Sequence, residues 1–205
     1  VVSAMGGLRV GNAVAVIRLS GTVQETGGSS LLGGGAITPA ALRKRLQEAQ
    51  EDPRIKAVVL RMETGGGAVA ASQEMAAMVR DFPKPVVVSM GDLVASGGYY
   101  IASQADWIVA QPGSLTGSIG VIWTNFNIQG LLDKLGVKLD TITAGKYKDM
   151  SLPRDLTPEE RQIVQTMVDN LYEQFIAAVA QGRELPPDTV RALATGQLYT
   201  GEQAL

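Results

Sequence analysis

The sequence contains no cysteine and no histidine among its 205 residues. Without cysteine there can be no disulfide framework, no thiol nucleophile and no thiolate metal site. Without histidine the chain lacks the commonest metal ligand and the commonest general base. A catalytic serine in this chain would therefore need another base. Lysine is the obvious candidate, because Ser-Lys pairs are a known variant of the serine triad.

Basic runs, aromatic side chains and long apolar stretches are also scarce. The net charge is −2 and aromatic residues make up 5% of the chain, so nothing indicates nucleic-acid binding. No apolar run approaches the roughly 20 residues of a transmembrane helix. The first residues do not form a signal peptide.

Apolar strand-like runs alternate with helical segments along the whole chain, which predicts a single α/β domain over residues 1–205. We expect a mostly parallel sheet with helices outside it. Val14–Leu19 is predicted as a strand buried on both faces, and Val121–Trp123 and Val137–Ile142 as further strands. The glycine- and serine-rich stretch Gly21–Gly35 is predicted as a mobile surface loop.

Two helix starts are predicted by local signals. Thr38 and Pro39 have the residue types of an N-cap and first helical position, for a helix to about Glu51. Thr157 and Glu160 form a capping-box pattern at the start of a long helix.

Three glycine-rich joints follow predicted strands, and they are the main candidates for a functional site. They are Thr64–Gly67, Ser96–Gly98 and Thr116–Gly120. In a sheet of βαβ units, strand ends on one side gather at a common crevice. Two joints could therefore supply N–H groups around one point, as an oxyanion hole requires. None has the Gly-x-Gly-x-x-Gly or P-loop pattern, and each alone could be an ordinary tight turn.

Ser96 lies between the apolar run Val86–Met90 and a helical segment that begins near Tyr99. A serine at such a joint can expose its hydroxyl on a sharp turn, which suits a nucleophile. It can equally be a helix N-cap, since serine is favoured there for structural reasons.

The base is harder to choose, because the chain has seven lysines. A lysine with its usual pKa of about 10.4 must be desolvated to act as a base near neutral pH. Lys148 follows an apolar run and precedes a loop with glycine and proline, and Lys146 is nearly as well placed. Reasoning from the residues leaves both open.

Several blocks together resemble the signal peptide peptidase A family of bacterial serine proteases. The blocks begin with Ser96-Gly-Gly-Tyr-Tyr, Leu115-Thr-Gly-Ser-Ile-Gly-Val-Ile and Gly145-Lys-Tyr-Lys-Asp-Met-Ser-Leu-Pro-Arg. Leu156–Arg161, Gln165–Asp169 and Gly196–Ala204 extend the resemblance over nearly the whole chain, in the family's order. It implies a Clp-protease/crotonase-like fold of repeated ββα/βαβ units with a mostly parallel sheet and outer helices.

The resemblance also implies a site. Ser96 matches the family's nucleophile, Lys148 its general base, and Ser118 a serine that orients the lysine. Gly97 and Gly66 match its oxyanion-hole amides. The loop Glu63–Ala68 departs from the family's usual Asn-Ser-Pro-Gly-Gly-Gly, because Gly65 stands in place of the proline. We expect this loop to be more mobile than usual, since proline fixes one backbone angle.

For the whole protein, the resemblance implies an endopeptidase that needs neither metal nor cofactor and cleaves apolar, extended peptides, notably remnant signal peptides. It further implies a homo-oligomeric ring, and a membrane tether that places the catalytic domain on the extracytoplasmic side. We expect the N-terminal anchor and a C-terminal tail to lie outside this sequence. Two alternatives remain at this point: a crotonase-like acyl-thioester enzyme, and a non-catalytic binding module.

Overall fold

A computed structural model of the chain describes residues 11–27, 35–150 and 153–205. The chain divides into two compact units. The first takes in the chain up to Gly120 together with Gln174–Leu205, and the second is Val121–Glu173. The prediction of a single domain over residues 1–205 stays a prediction. No helix in the described ranges is long and apolar enough to cross a membrane.

The described elements are strands and helices, and they alternate over residues 36–109, as the sequence predicts. In chain order they are β1 (Ala13–Ser20), β2 (Thr22–Val23), β3 (Ala36–Ile37), α1 (Pro39–Glu51), β4 (Ile55–Thr64), α2 (Val69–Arg80), β5 (Val86–Ala95), α3 (Gly97–Ala102), β6 (Trp107–Val109), β7 (Leu115–Gly117), α4 (Gln129–Lys134), α5 (Pro158–Arg183), α6 (Pro187–Leu193) and β8 (Leu198–Thr200).

The main sheet of the first unit has the order β1-β4-β5-β7-β8, and β6 also pairs with β5. All its pairings are parallel except that between β7 and β8. The carboxyl ends of β4, β5 and β7 lie side by side, because the register pairs Thr64 with Val94 and Ala95 with Gly117. This arrangement confirms the predicted α/β class and brings the three glycine-rich joints to one edge of the sheet.

One face of the sheet carries the hydrophobic core. The helices contribute buried side chains such as Leu42 and Leu46 from α1, Met75 from α2 and Ile101 from α3. The strands contribute the alternate residues that point the same way, including the fully buried Leu60. This packing holds in place the strands that end at the three glycine-rich joints.

The opposite face of the sheet is exposed, which corrects the prediction that β1 is buried on both faces. Val14 and Val16 are 56% and 51% exposed. The register places Val16 beside Val59 of β4, then Val87 of β5 and Trp107 of β6, which is 71% exposed. An apolar row therefore crosses this face, although parallel sheets usually have both faces covered.

The predicted helix starts are confirmed. The Thr38 hydroxyl accepts a hydrogen bond from the Ala41 N–H at 3.2 Å, so Thr38 caps α1. At the start of α5 the Glu160 N–H donates to the Thr157 hydroxyl at 3.2 Å, and the Thr157 N–H donates to the Glu160 carboxylate at 2.8 Å. These are the reciprocal bonds of a capping box.

Two predicted strands are wrong. Val121–Trp123 and Val137–Ile142 are not strands. Ile122 and Ile142 are 91% and 96% exposed, and an apolar run becomes a strand only where a neighbouring strand can pair with it. The predicted loop Gly21–Gly35 is corrected at its start, where β2 pairs with β3 and Val23 is buried. Residues 28–34 of that stretch lie outside the described residues.

Candidate active site

Ser96 occupies a sharp turn between β5 and α3. Its backbone angles are φ 53° and ψ −126°, a region that L-residues rarely adopt. The turn is held at both ends: the Ser96 N–H donates to the Gly117 carbonyl at 2.9 Å, and the Ser96 carbonyl accepts from the Tyr100 N–H at 2.9 Å. Strain of this kind, held in place by its surroundings, is found preferentially at functional sites.

The Ser96 hydroxyl is not used to cap α3. Ser96 stands at the N-cap position, but its side chain makes no capping hydrogen bond. Within the described part of the chain no hydrogen bond involves this hydroxyl, and the side chain is half-buried. Ser96 is therefore the N-cap residue of α3 by position, but its hydroxyl is not used as a cap.

The glycine loop after β4 packs directly against the Ser96 turn. A methyl group placed on Gly66 would come within 2.6 Å of the Gly97 nitrogen and 2.9 Å of the Ser96 Cβ. Gly66 also has φ +95°, which disfavours any other residue. The fold thus brings Ser96, Gly97 and Gly66 together, as expected for a nucleophile beside oxyanion-hole amides.

The amides of this loop differ in availability. The Gly66 N–H donates to the Thr64 hydroxyl at 3.0 Å in a buried position. The next amide, that of Gly67, makes no hydrogen bond within the described residues. Its nitrogen lies 3.3 Å from the place that a Cβ on Gly97 would occupy. Gly67 is thus a candidate donor that reasoning from the sequence missed, although the run of three glycines contained the signal.

Ser118 lies beside the same turn. The register of β5 and β7 pairs Ala95 with Gly117, so the residues that follow, Ser96 and Ser118, leave the sheet at neighbouring positions. Ser118 has φ 50°, and its N–H donates to the Gln197 carbonyl at 2.8 Å. The fold therefore places this predicted residue at the edge of the sheet where Ser96 lies.

The two candidate lysines belong to the second unit and differ in their contacts. The Lys146 ammonium forms an ion pair with the Glu159 carboxylate at 2.7 Å. Hydrogen bonding to Glu159 raises the pKa of Lys146, which stabilises the charged form and opposes a role as base. The Lys148 side chain is exposed and makes no ion pair in the described residues. Lys148 is thus the less engaged of the two lysines, although its exposed side chain lacks the desolvation that a base near neutral pH needs.

An ion-pair network holds the segment after Lys148 within the second unit. The Arg154 guanidinium contacts the Asp149 carboxylate at 2.9 Å and the Glu160 carboxylate at 2.7 Å. Hydrogen bonds from Arg154 lower the pKa of Glu160 to about 2. Asp149 follows Lys148 directly, so the network ties the lysine segment to the first turn of α5.

A strained serine at a strand end, faced by a glycine loop with N–H groups, is the arrangement of an acyl-transfer hydrolase. The comparisons with known proteins agree with this class. Residues 79–205 match Peptidase family S49, and the chain belongs to this family of serine peptidases. The predicted resemblance is thereby confirmed, and membership of a peptidase family disfavours the acyl-thioester and non-catalytic alternatives.

The chain is similar to much longer relatives. It is 39% identical over 201 residues to Protease 4 of Salmonella typhi, covering 95% of this chain and 31% of that protein. It is 34% identical over 195 residues to the chloroplastic serine protease SPPA of Arabidopsis thaliana, covering 93% of this chain and 29% of that protein. The chain therefore spans about a third of the length of these relatives.

The fold is also similar to that of a Clp protease. A mutant of ClpP1 from Listeria monocytogenes superposes with a TM-score of 0.56 at 12% sequence identity, over 92% of this chain and 84% of that one. This likeness confirms the predicted Clp-like fold class.

Proposed function

We propose that the protein is a serine endopeptidase that uses a Ser96–Lys148 dyad. The observation that carries the proposal is the Ser96 turn, where a strained serine with an unengaged hydroxyl faces the loop of Gly66. The choice of Lys148 is supported by its freedom from ion pairs in the described residues, whereas Lys146 is paired with Glu159.

In the proposed reaction, neutral Lys148 takes the proton of the Ser96 hydroxyl, and the Ser96 oxygen attacks the carbonyl carbon of a peptide bond. The lysine ammonium then gives that proton to the leaving amine as the C–N bond breaks. Water attacks the resulting ester, with Lys148 again as base, and releases the acid and free Ser96. Ser118 is proposed to orient the lysine amine.

The oxyanion formed in each step needs N–H donors, and we assign these to Gly97 and Gly66. The Gly66 N–H must leave the Thr64 hydroxyl to serve, which costs one buried hydrogen bond. The Gly67 N–H needs no such exchange and is proposed as a further donor of the same loop. Gly65, which stands where proline is usual, leaves this loop free to make the change.

We propose that the substrates are extended apolar peptides such as signal-peptide remnants, and that the protein works at a membrane with its catalytic part on the extracytoplasmic side. We also propose that it assembles as a homo-oligomeric ring. The exposed apolar side chains support an assembly: Val16 and Trp107 on the open sheet face of the first unit, and Ile122, Phe126 and Ile142 in the second.

The proposal is tested by measuring cleavage of apolar peptides and peptidyl esters by the assembled protein. Ser96→Ala and Lys148→Ala should each lose activity by at least about a hundredfold, because each removes a member of one catalytic unit. Lys146→Ala is the matched control and should keep most of the activity. Activity of the wild type should rise with pH through the neutral-to-alkaline range, because the base must be neutral.

Retained cleavage by Ser96→Ala or Lys148→Ala would contradict the dyad. A flat pH profile between about pH 6 and 10 would contradict a rate-limiting role for a lysine base.

A further inference from the structure

The pairing of β4 with β5 is interrupted just before the Ser96 turn. Met62 pairs with Met90, and the next pair is Thr64 with Val94. One residue of β4, Glu63, therefore stands opposite three residues of β5. A bulge of this kind leaves backbone N–H and carbonyl groups without strand partners, and each needs another hydrogen bond.

The Glu63 side chain supplies the missing acceptors from the β4 side. One carboxylate oxygen accepts the Asp92 N–H at 2.7 Å, and the other accepts the Leu93 N–H at 3.2 Å. Gly91 leaves the space for this contact, since a Cβ there would lie 1.9 Å from a Glu63 carboxylate oxygen. The Glu63 carboxylate therefore fits beside β5 because residue 91 has no side chain.

Two buried hydroxyl groups complete the bulge from the β7 side. The Ser114 hydroxyl donates to the Gly91 carbonyl at 2.7 Å. The Thr116 hydroxyl donates to the Val94 carbonyl at 2.8 Å. Both side chains are almost completely buried. The bulged part of β5 is thus held by side chains on both edges, and the chain reaches Ser96 two residues after Val94.

We propose that Glu63 is a positioning residue for Ser96. Its carboxylate fixes the position of the Ser96 turn relative to the glycine loop that follows β4. Both of these segments start within three residues of the bulge, on the two strands that Glu63 joins. A carboxylate suits the task because it presents two acceptor oxygens to two neighbouring N–H groups. This inference rests on the proposed role of Ser96 as nucleophile.

The first test is Glu63→Ala in the assembled protein. We expect kcat to fall by roughly tenfold to a hundredfold with KM within about twofold of wild type, because small misplacements of reacting groups cost rates of this order. Hydrogen exchange of the Asp92 and Leu93 amides should become faster in the same variant. Glu63→Gln should recover part of kcat, because its amide keeps one acceptor oxygen. Glu51→Ala, which removes an exposed glutamate on α1, is the matched control.

The second test uses the space at Gly91. Gly91→Ala should displace the Glu63 carboxylate and lower kcat as Glu63→Ala does. The double variant should be little worse than Glu63→Ala, because removing the Glu63 carboxylate leaves only the Met62 carbonyl, at 3.2 Å, near the new methyl group. Circular dichroism and thermal melting establish that each variant is folded.

The outcomes separate the two proposals. If the wild type cleaves peptides and Glu63→Ala matches Glu51→Ala in kcat, the positioning role is refuted and the dyad stands. Additive losses in the double variant, or unchanged exchange of the Asp92 and Leu93 amides, would also refute it. If the wild type neither cleaves peptides nor reacts at Ser96 with a fluorophosphonate, the proposed function fails, and the positioning role fails with it.

Discussion

Replacing Ser96 by glycine should stabilise the protein while it abolishes activity. Ser96 has φ 53° and ψ −126°, and a residue held in so sparsely populated a region costs about 1–3 kcal/mol. Glycine adopts these angles freely but loses roughly 0.5–1 kcal/mol through the greater flexibility of the unfolded chain. We therefore expect a net gain of about 1 kcal/mol, which corresponds to about 2–4 °C in Tm for a chain of this length.

Thermal and denaturant unfolding of matched variants measure this gain. Ser96→Ala removes the same hydroxyl but keeps the Cβ, so it should be inactive with a Tm close to that of the wild type. Glu184→Gly is the control away from the site, because Glu184 is exposed, has φ 54° and directly follows α5. It should also gain stability, since glycine is favoured just after a helix end, but its activity should not change.

A Tm for Ser96→Gly below that of Ser96→Ala would refute the reasoning. It would mean that the backbone at position 96 does not favour glycine, and that the turn stores no strain. If Ser96→Ala raised Tm as much as Ser96→Gly, the destabilisation would come from the Ser96 hydroxyl rather than from backbone strain.

Three other predictions concern the first turn of α5 and the glycine loop beside Ser96. Stability should fall as the pH drops from about 4.5 towards about 2, because the folded pKa of Glu160 is depressed and protonation then breaks its ion pair. In Arg154→Ala, the free energy of unfolding should change less over this pH range. Thr157→Ala should destabilise α5 by about 1 kcal/mol in denaturant unfolding, as loss of an N-cap does, and Thr157→Ser should restore most of it. Gly66→Ala should lower both activity and Tm, because its methyl group would lie 2.6 Å from the Gly97 nitrogen; unchanged kinetics would contradict the described packing.

Local chemistry explains which structural predictions succeeded. The caps at Thr38 and Thr157 depend on side chains reaching N–H groups three residues away, so the sequence alone determines them. The three glycine-rich joints were recognisable for a similar reason, because closely spaced glycines are typical of tight turns and close backbone approach.

The predictions that failed depended on distant partners. Val137–Ile142 has the composition of a strand but pairs with no strand in the described part of the chain. The sequence of β1 is that of a buried strand, although one of its faces is open. Pairing and coverage are decided by the packing of the whole sheet, which no short window of sequence contains.

The absence of histidine and cysteine narrowed the predicted base for a catalytic serine to lysine. The sequence could not show that the Ser96 backbone is strained, that Thr64 engages the Gly66 amide, or that Glu63 fills the bulge in β5. The Glu63 contact joins strands about thirty residues apart, and the conformations of the Ser96 turn and of the Thr64–Gly66 segment depend on how those strands are held. They exist only once β4, β5 and β7 lie side by side, and so only the tertiary structure decided them.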